Sequence, residues 1–188
     1  MTSGTDVVEA SPAFPDLEWR NFLQSALEIP LLVRFLRLPP GGRILEVGCG
    51  RGIGLLALAG LLEPSQIAGI DIDAALLAKA ESAFQDRGVR ARFLPADVRD
   101  LPFEDSSFDT VFDFGTCYHA PQPERALLEI ARVLRPGGLF VHETKAAQLL
   151  AHPTRASRRA LPWHAVPGLV PHRKSLLWAA KHRTSAVW

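Results

Sequence analysis

The stretch Ile44-Leu-Glu-Val-Gly-Cys-Gly-Arg-Gly-Ile-Gly54 constrains this chain more than any other. An apolar, strand-like run carrying one acid, Glu46, passes directly into three alternating glycines, and these open an apolar helical stretch. Gly48, Gly50 and Gly52 clear the turn of Cβ atoms, so the backbone is free to take positive φ and lie against a ligand. The helix that follows points its unpaired N–H groups at the same place. That combination is a nucleotide-cofactor site. The dinucleotide pattern G-x-G-x-x-G needs its third glycine at position 53, yet Ile53 stands there and the glycines fall at 52 and 54. The spacing disfavours NAD and FAD.

From this loop onward, strand and helix patterns alternate as in a doubly wound, mostly parallel sheet covered on both faces. Strands are expected at 43–47, 67–70, 91–94, 109–114 and 139–143. The stretch Ile53 to Leu62 is apolar almost all round and predicts a fully buried helix. Asp73 suits the N-cap of the next helix, with Leu76, Leu77, Ala80 and Phe84 as its inward stripe and Gly88 as its stop. Leu127, Ile130, Ala131 and Leu134 repeat the pattern behind Pro123, and Arg132 and Arg135 complement the helix dipole. Upstream, Trp19, Phe22, Leu23, Ala26, Leu27, Leu31, Leu32, Phe35 and Leu36 recur at helical spacing between Asp16 and Leu38. Two helices are expected there, broken or kinked at Pro30 and ended by Pro39-Pro40-Gly41-Gly42. Residues 1 to about 13 lack any apolar periodicity and read as a frayed tail. At 188 residues and 47% hydrophobic content the chain builds one domain, with a tail and helices over 1–40 and the cofactor domain over 41–188.

A second acid, Asp71, ends the apolar run Ile67-Ala-Gly-Ile, where a ribose needs its acceptor. Ala96-Asp97-Val98, Phe108-Asp109 and Arg132-Val-Leu-Arg-Pro-Gly-Gly138 follow in order. In this set, which covers about Arg43 to Thr144, the chain resembles the class I methyltransferases that use S-adenosylmethionine, in their small-molecule, type-11-like branch. The resemblance implies a Rossmann-like sheet of seven strands, or six, with N-terminal helices lying over the pocket. It also implies a cofactor site of Glu46, Gly48, Cys49, Gly50, Gly54, Asp71, Ile72, Ala96, Asp97, Val98, Phe114 and Gly115. Within that set Glu46 helps to place the methionine part and Asp97 accepts from the adenine amino group. Ile72 and Val98 pack on the two faces of the ring. Cys49 is a small residue fitting a crowded turn rather than a nucleophile.

The segment Phe112-Asp113-Phe114-Gly115-Thr116-Cys117-Tyr118-His119 leaves the fourth strand at the edge where open α/β sheets bind ligands. By the same resemblance it passes beside the reacting methyl group, which makes Asp113, Tyr118 and His119 the candidate catalytic residues. His119 suits a general base for a hydroxyl or ammonium acceptor, or else only packs at the top of the sheet. Asp113 holds the cofactor's ammonium, orients the acceptor, or caps the loop. No acid-rich cluster suggests a metal.

Charge divides the chain. Against 20 acids, the first 143 residues carry 13 Lys and Arg, a balance of −7, whereas residues 144–188 carry eight and no acid. His152, His164, His172 and His182 and Trp163, Trp178 and Trp188 share that basic end. It fits an anionic substrate, a membrane surface or a nucleic acid, or it docks on the acidic body or on a second subunit as in a homodimer. The same end must supply the last strands, expected at Gly168–Val170 and Ser175–Ala180, with a helix over His152 to Ala160 between the body and these strands. Two cysteines without metal-like spacing, and an N-terminus without a basic-then-apolar signal, point to a reduced, cytoplasmic setting. Three readings stand: a small-molecule methyltransferase, one acting on an anionic lipid or nucleic acid, and a non-catalytic cofactor-binding partner subunit.

Overall fold

A computed structural model describes residues 17–143, 161–171 and 179–182 of the chain. The expected N-terminal tail, the helix over His152 to Ala160 and the first residues of the expected final strand lie outside the described residues.

Seven strands form one sheet: β1 (Arg43–Val47), β2 (Gln66–Asp71), β3 (Arg92–Pro95), β4 (Phe108–Asp113), β5 (Leu134–His142), β6 (Leu169–Pro171) and β7 (Ala179–His182). Their order is β3-β2-β1-β4-β5-β7-β6. The first five are parallel, and β7 runs antiparallel to both β5 and β6. Buried residues run almost continuously along β1, β2 and β4, as in a sheet covered on both faces. The final strand reaches two residues beyond its expected end, to His182. Pro171 is tolerated in β6 because that strand is an edge.

Among the described residues five α-helices accompany the sheet: α1 (Leu17–Leu23), α2 (Ile29–Leu36), α3 (Ile53–Leu62), α4 (Ala74–Gln85) and α5 (Pro123–Val133). On one face α2, α3 and α4 bury Ile29, Leu32, Leu55, Leu58, Leu77 and Phe84 against Phe112 and Val141. On the other, α5 buries Leu127 and Ile130 against Val47, Ile70, Val111 and Phe140. Side chains of this size each contribute roughly 1.5–3 kcal/mol when removed from water. The stripe of α4 keeps Leu77, Ala80 and Phe84 inside, and Asp73 caps it by accepting from the N–H groups of Ala75 and Leu76 at 2.8 and 3.2 Å.

Three expectations change. Pro30 does not break the N-terminal helix; a π-turn, Gln24–Glu28, joins α1 to α2, and the Ile29 N–H donates to the Gln24 carbonyl, five residues back. The extra residue widens the turn just where proline removes a donor and crowds the carbonyl four residues earlier. Nor is α3 buried all round, since Gly60 and Leu61 face solvent at its far end. The fifth strand begins at Leu134 rather than 139. Leu134 pairs with Phe108, the register then skips to Leu139 opposite Thr110, and Arg135 to Gly138 form a bulge within the strand.

Candidate functional site

The strand order reverses between β1 and β4, and Val47 stands opposite Asp113 at their C-terminal ends. Open α/β sheets bind ligands at this switch point. Gly48, Gly50 and Gly52 leave β1 with φ of 64°, 52° and 74°. The loop is pinned from both sides. A Cβ at Gly48 would stand 1.7 Å from Thr116 Oγ1, and one at Gly52 would stand 3.0 Å from the Ala80 Cβ. At Gly50, by contrast, a Cβ would meet nothing within 4 Å. The turn is thus closed against the protein and open only at its middle glycine. Gly54 lets the first turn of α3 approach Glu46, whose Oε1 would lie 3.0 Å from an added Cβ.

Glu46 is buried at the end of β1 and its Oε2 has no hydrogen-bond partner among the described residues. Burial pushes its carboxyl well above the carboxylate range, against a hydrogen bond from the Leu55 backbone; Asp113 and Asp71 add to the rise and Arg20 opposes it. Asp71 ends β2 and accepts from the N–H groups of Gly50 and Asp73 at 2.8 and 3.0 Å. A carboxylate offers about four acceptor positions, so roughly two remain for a ligand's hydroxyls. Ile72 beside it is 52% exposed. The Ala96 N–H donates to the Asp71 carbonyl at 3.0 Å, tying the end of β3 to this edge. Cys49 is buried, and burial with the nearby Glu46 and Asp71 raises its thiol, which keeps it neutral and inert.

Asp97 and Val98 differ from the expected pair. Both Asp97 oxygens are taken by its neighbour: the Arg99 N–H and Nε reach Oδ1 at 2.8 and 3.0 Å, and Nε and Nη2 reach Oδ2 at 3.0 and 2.6 Å. Val98 is in the core with Leu101, because the chain turns immediately after Asp97, where the Asp100 N–H closes on the Asp97 carbonyl. Ile72, not Val98, is the apolar side chain left open.

Beyond β4, Asp113 is wholly buried and folds the exit loop onto itself, accepting from the N–H groups of Gly115, Thr116 and Cys117 at 3.1, 2.6 and 3.3 Å. Burial raises its carboxyl, while the Cys117 thiol, the Thr116 and Cys117 N–H groups and nearby His142 pull the other way. Its geometry is that of the loop cap. Phe114 is half-buried and stacks on Phe112 at 5.9 Å. The Tyr118 hydroxyl donates to the Glu143 carbonyl, and burial, Asp113 and Glu143 hold the phenol protonated. His119 is exposed at the loop's end, its backbone N–H on the Thr116 carbonyl at 3.0 Å.

Sequence reasoning missed Glu143, Arg20, Glu28 and Gln24. Glu143 leaves β5 buried beside Gly115, where Oε2 would stand 2.9 Å from an added Cβ. Arg20 and Glu28 come over it from α1 and the π-turn, and the Gln24 amide sits against Gly54 beside Glu46. An acid at the C-terminal end of a buried apolar run was the available signal for Glu143, and Glu46 and Asp71 stand at or next to such ends as well.

This sheet order, with a glycine loop and strand-end acids at the reversal, is the architecture of the class I methyltransferases. The chain belongs to the family described as Methyltransferase domain, whose profile its residues 45–142 match. A fatty-acid O-methyltransferase of Mycolicibacterium smegmatis is 37% identical over 102 residues, 54% of this chain and 36% of that one. A phthiotriol/phenolphthiotriol dimycocerosates methyltransferase of Mycobacterium leprae is 39% identical over 98 residues, 52% of this chain and again 36% of the relative. Among solved structures, the [4+2]-cyclase SpnF superposes with a TM-score of 0.58 at 33% identity, covering 61% of this chain and 43% of that one. The chain thus spans little more than a third of the length of these curated relatives.

Proposed function

We propose that this chain is an S-adenosylmethionine-dependent methyltransferase acting on oxygen, nitrogen or carbon of a small-molecule acceptor, with a lipid-like acyl compound as the acceptor class. One observation carries the cofactor reading: the glycine turn is sealed everywhere except at Gly50, Asp71 holds that glycine, and Glu46, whose Oε2 has no hydrogen-bond partner among the described residues, lies against Gly54 just beyond. Asp71 would hold ribose hydroxyls, Glu46 the amino-acid end, and Ile72 one face of the adenine. When bound, S-adenosylmethionine supplies an electrophilic methyl carbon on a sulfonium that is already a good leaving group.

The chain's own part is positioning, which supplies much of the rate of such a displacement. Asp113 fixes the exit loop, Tyr118 braces that loop against the end of β5, and exposed His119 takes the proton of an acceptor that carries one. The acyl class is supported by the names of the mycobacterial relatives. A second reading, a cofactor-binding fold without methyl transfer, is favoured by the likeness to SpnF, a [4+2]-cyclase. Incubating the full chain and a cell extract with methyl-labelled S-adenosylmethionine, followed by mass spectrometry, separates the two. A labelled acyl compound supports the first; calorimetric binding of S-adenosylhomocysteine with no labelled product in any extract supports the second.

A further inference from the structure

Three side chains converge where α1 crosses the C-terminal end of β5. Arg20 Nη1 pairs with Glu28 Oε2 at 3.2 Å, whereas Arg20 Nη2 stays 3.9 Å from Glu143 Oε1. Glu143 is 3% exposed, and that same Oε1 has no hydrogen-bond partner among the described residues. Charge-assisted bonds close to about 2.7–2.9 Å, so this contact is an unfinished ion pair. A carboxylate buried without full pairing is unfavourable, and the group relieves the cost by keeping its proton. Burial and the neighbouring Glu28 and Asp113 push Glu143 up to about 8, with Arg20 opposing. At neutral pH the pair therefore presents a guanidinium and a carboxylic O–H side by side. Two adjacent donors, one of them cationic, match the two oxygens of a carboxylate.

We propose that Arg20 and Glu143 form a subsite for the carboxylate head of an acyl acceptor, beside Gly115 at the mouth of the cofactor crevice. The subsite rests on the methyltransferase reading and deepens it by naming the acceptor's head group. Methylation of a carboxylate needs no base: an oxygen lone pair forms the new O–C bond, the electrons of the broken C–S bond stay on sulfur, and no proton moves. The neutral ester has lost the charge that Arg20 held, which favours its release. Four groups set the pH response of Glu143: Arg20 from α1, Glu28 from the π-turn, Asp113 from β4, and the Tyr118 phenol bonded to the Glu143 carbonyl. Ionisation of Glu143 above about pH 8 replaces a donor with a repelling anion.

The test is calorimetric titration of the full chain, first with S-adenosylhomocysteine and then, once saturated, with octanoate and with 1-octanol between pH 6 and 9. The expected result is octanoate binding at least about tenfold tighter than 1-octanol at pH 7, a preference that declines above about pH 8. Glu143→Gln keeps a donor and should hold octanoate affinity within about threefold at pH 7 while abolishing the alkaline decline; Arg20→Met should reduce octanoate to the level of octanol. Equal affinities for the two probes, no octanoate binding, or an alkaline decline that survives in Glu143→Gln overturns the subsite. Absent heat in the first titration defeats the methyltransferase reading itself. Heat there with indifference to octanoate defeats only the subsite.

Discussion

Gly48 and Gly50 have similar backbone angles and opposite surroundings, which separates folding from binding at two residues. Gly48→Ala would drive a methyl into Thr116, whose N–H is held by Asp113 at 2.6 Å and cannot easily retreat. A loss of about 2–4 kcal/mol is expected in urea denaturation, from overpacking added to left-handed strain. Gly50→Ala carries only the strain, about 1–2 kcal/mol, because its Cβ points into open space. That space is the proposed ligand's, so calorimetry should show at least a tenfold loss of S-adenosylhomocysteine affinity in a chain that still folds. Asp97 allows a sharper test. Both its oxygens accept from Arg99, through the backbone N–H, a shared Nε–H and Nη2, so an adenine amino group must compete with charge-assisted donors. Arg99→Ala should tighten S-adenosylhomocysteine binding by about three- to tenfold, and weaker binding would show that the fork supports the cofactor instead.

Elements whose form is dictated by neighbours in sequence were legible: β1 with its glycine loop, the Asp73-capped α4, the stripe of α5. Each combines a period, a cap and a stop within about 15 residues, so local chemistry and global fold agree. The π-turn was not legible, because Pro30 announces only that a regular helix is unfavourable and leaves open whether the chain breaks, kinks or widens. The bulge in β5 hides in the same way: Arg-Pro-Gly-Gly reads as a loop, and only pairing with Phe108 reveals strand on its far side. Strand-end acids at Glu46 and Asp71 were found through the motifs they sit in. Glu143 has no motif, and its importance arises from α1 folding over it, a contact that spacing does not encode. Tertiary ties of this kind are testable between elements too. Arg132 joins α5 to the segment after β3 through the carbonyls of Leu101 and Phe103 at 2.9 and 2.7 Å, with Glu129 and Asp105 completing its shell. Arg132→Met should cost about 2 kcal/mol in urea while leaving S-adenosylhomocysteine affinity unchanged, as the tie lies outside the crevice.

At the scale of the molecule, two groups of acids among the described residues are shifted in opposite directions. Asp97, Asp109 and Glu129 are paired with arginines and lie below their ordinary values, so what they contribute to stability is lost only as pH falls through the acid range. Glu46, Asp113 and Glu143 gather, buried, at the C-terminal edge of the sheet and lie above theirs. A carboxyl raised on folding binds its proton more tightly in the native state than in the unfolded one. Stability then declines as pH rises from the unfolded value near 4.5 toward the folded value, and levels off above it. For Glu143 that window closes at about 8. Glu143→Gln removes the titrating group but keeps the shape, so its stability advantage over the native chain should grow between pH 5 and 8, on the order of 1 kcal/mol per pH unit at the steepest. Urea denaturation of both proteins at pH 5, 6, 7 and 8 measures it. A difference independent of pH would mean that Glu143 is already ionised in the folded chain, with Arg20 closed upon it, and the edge of the sheet would then carry one more negative charge into the mouth of the crevice.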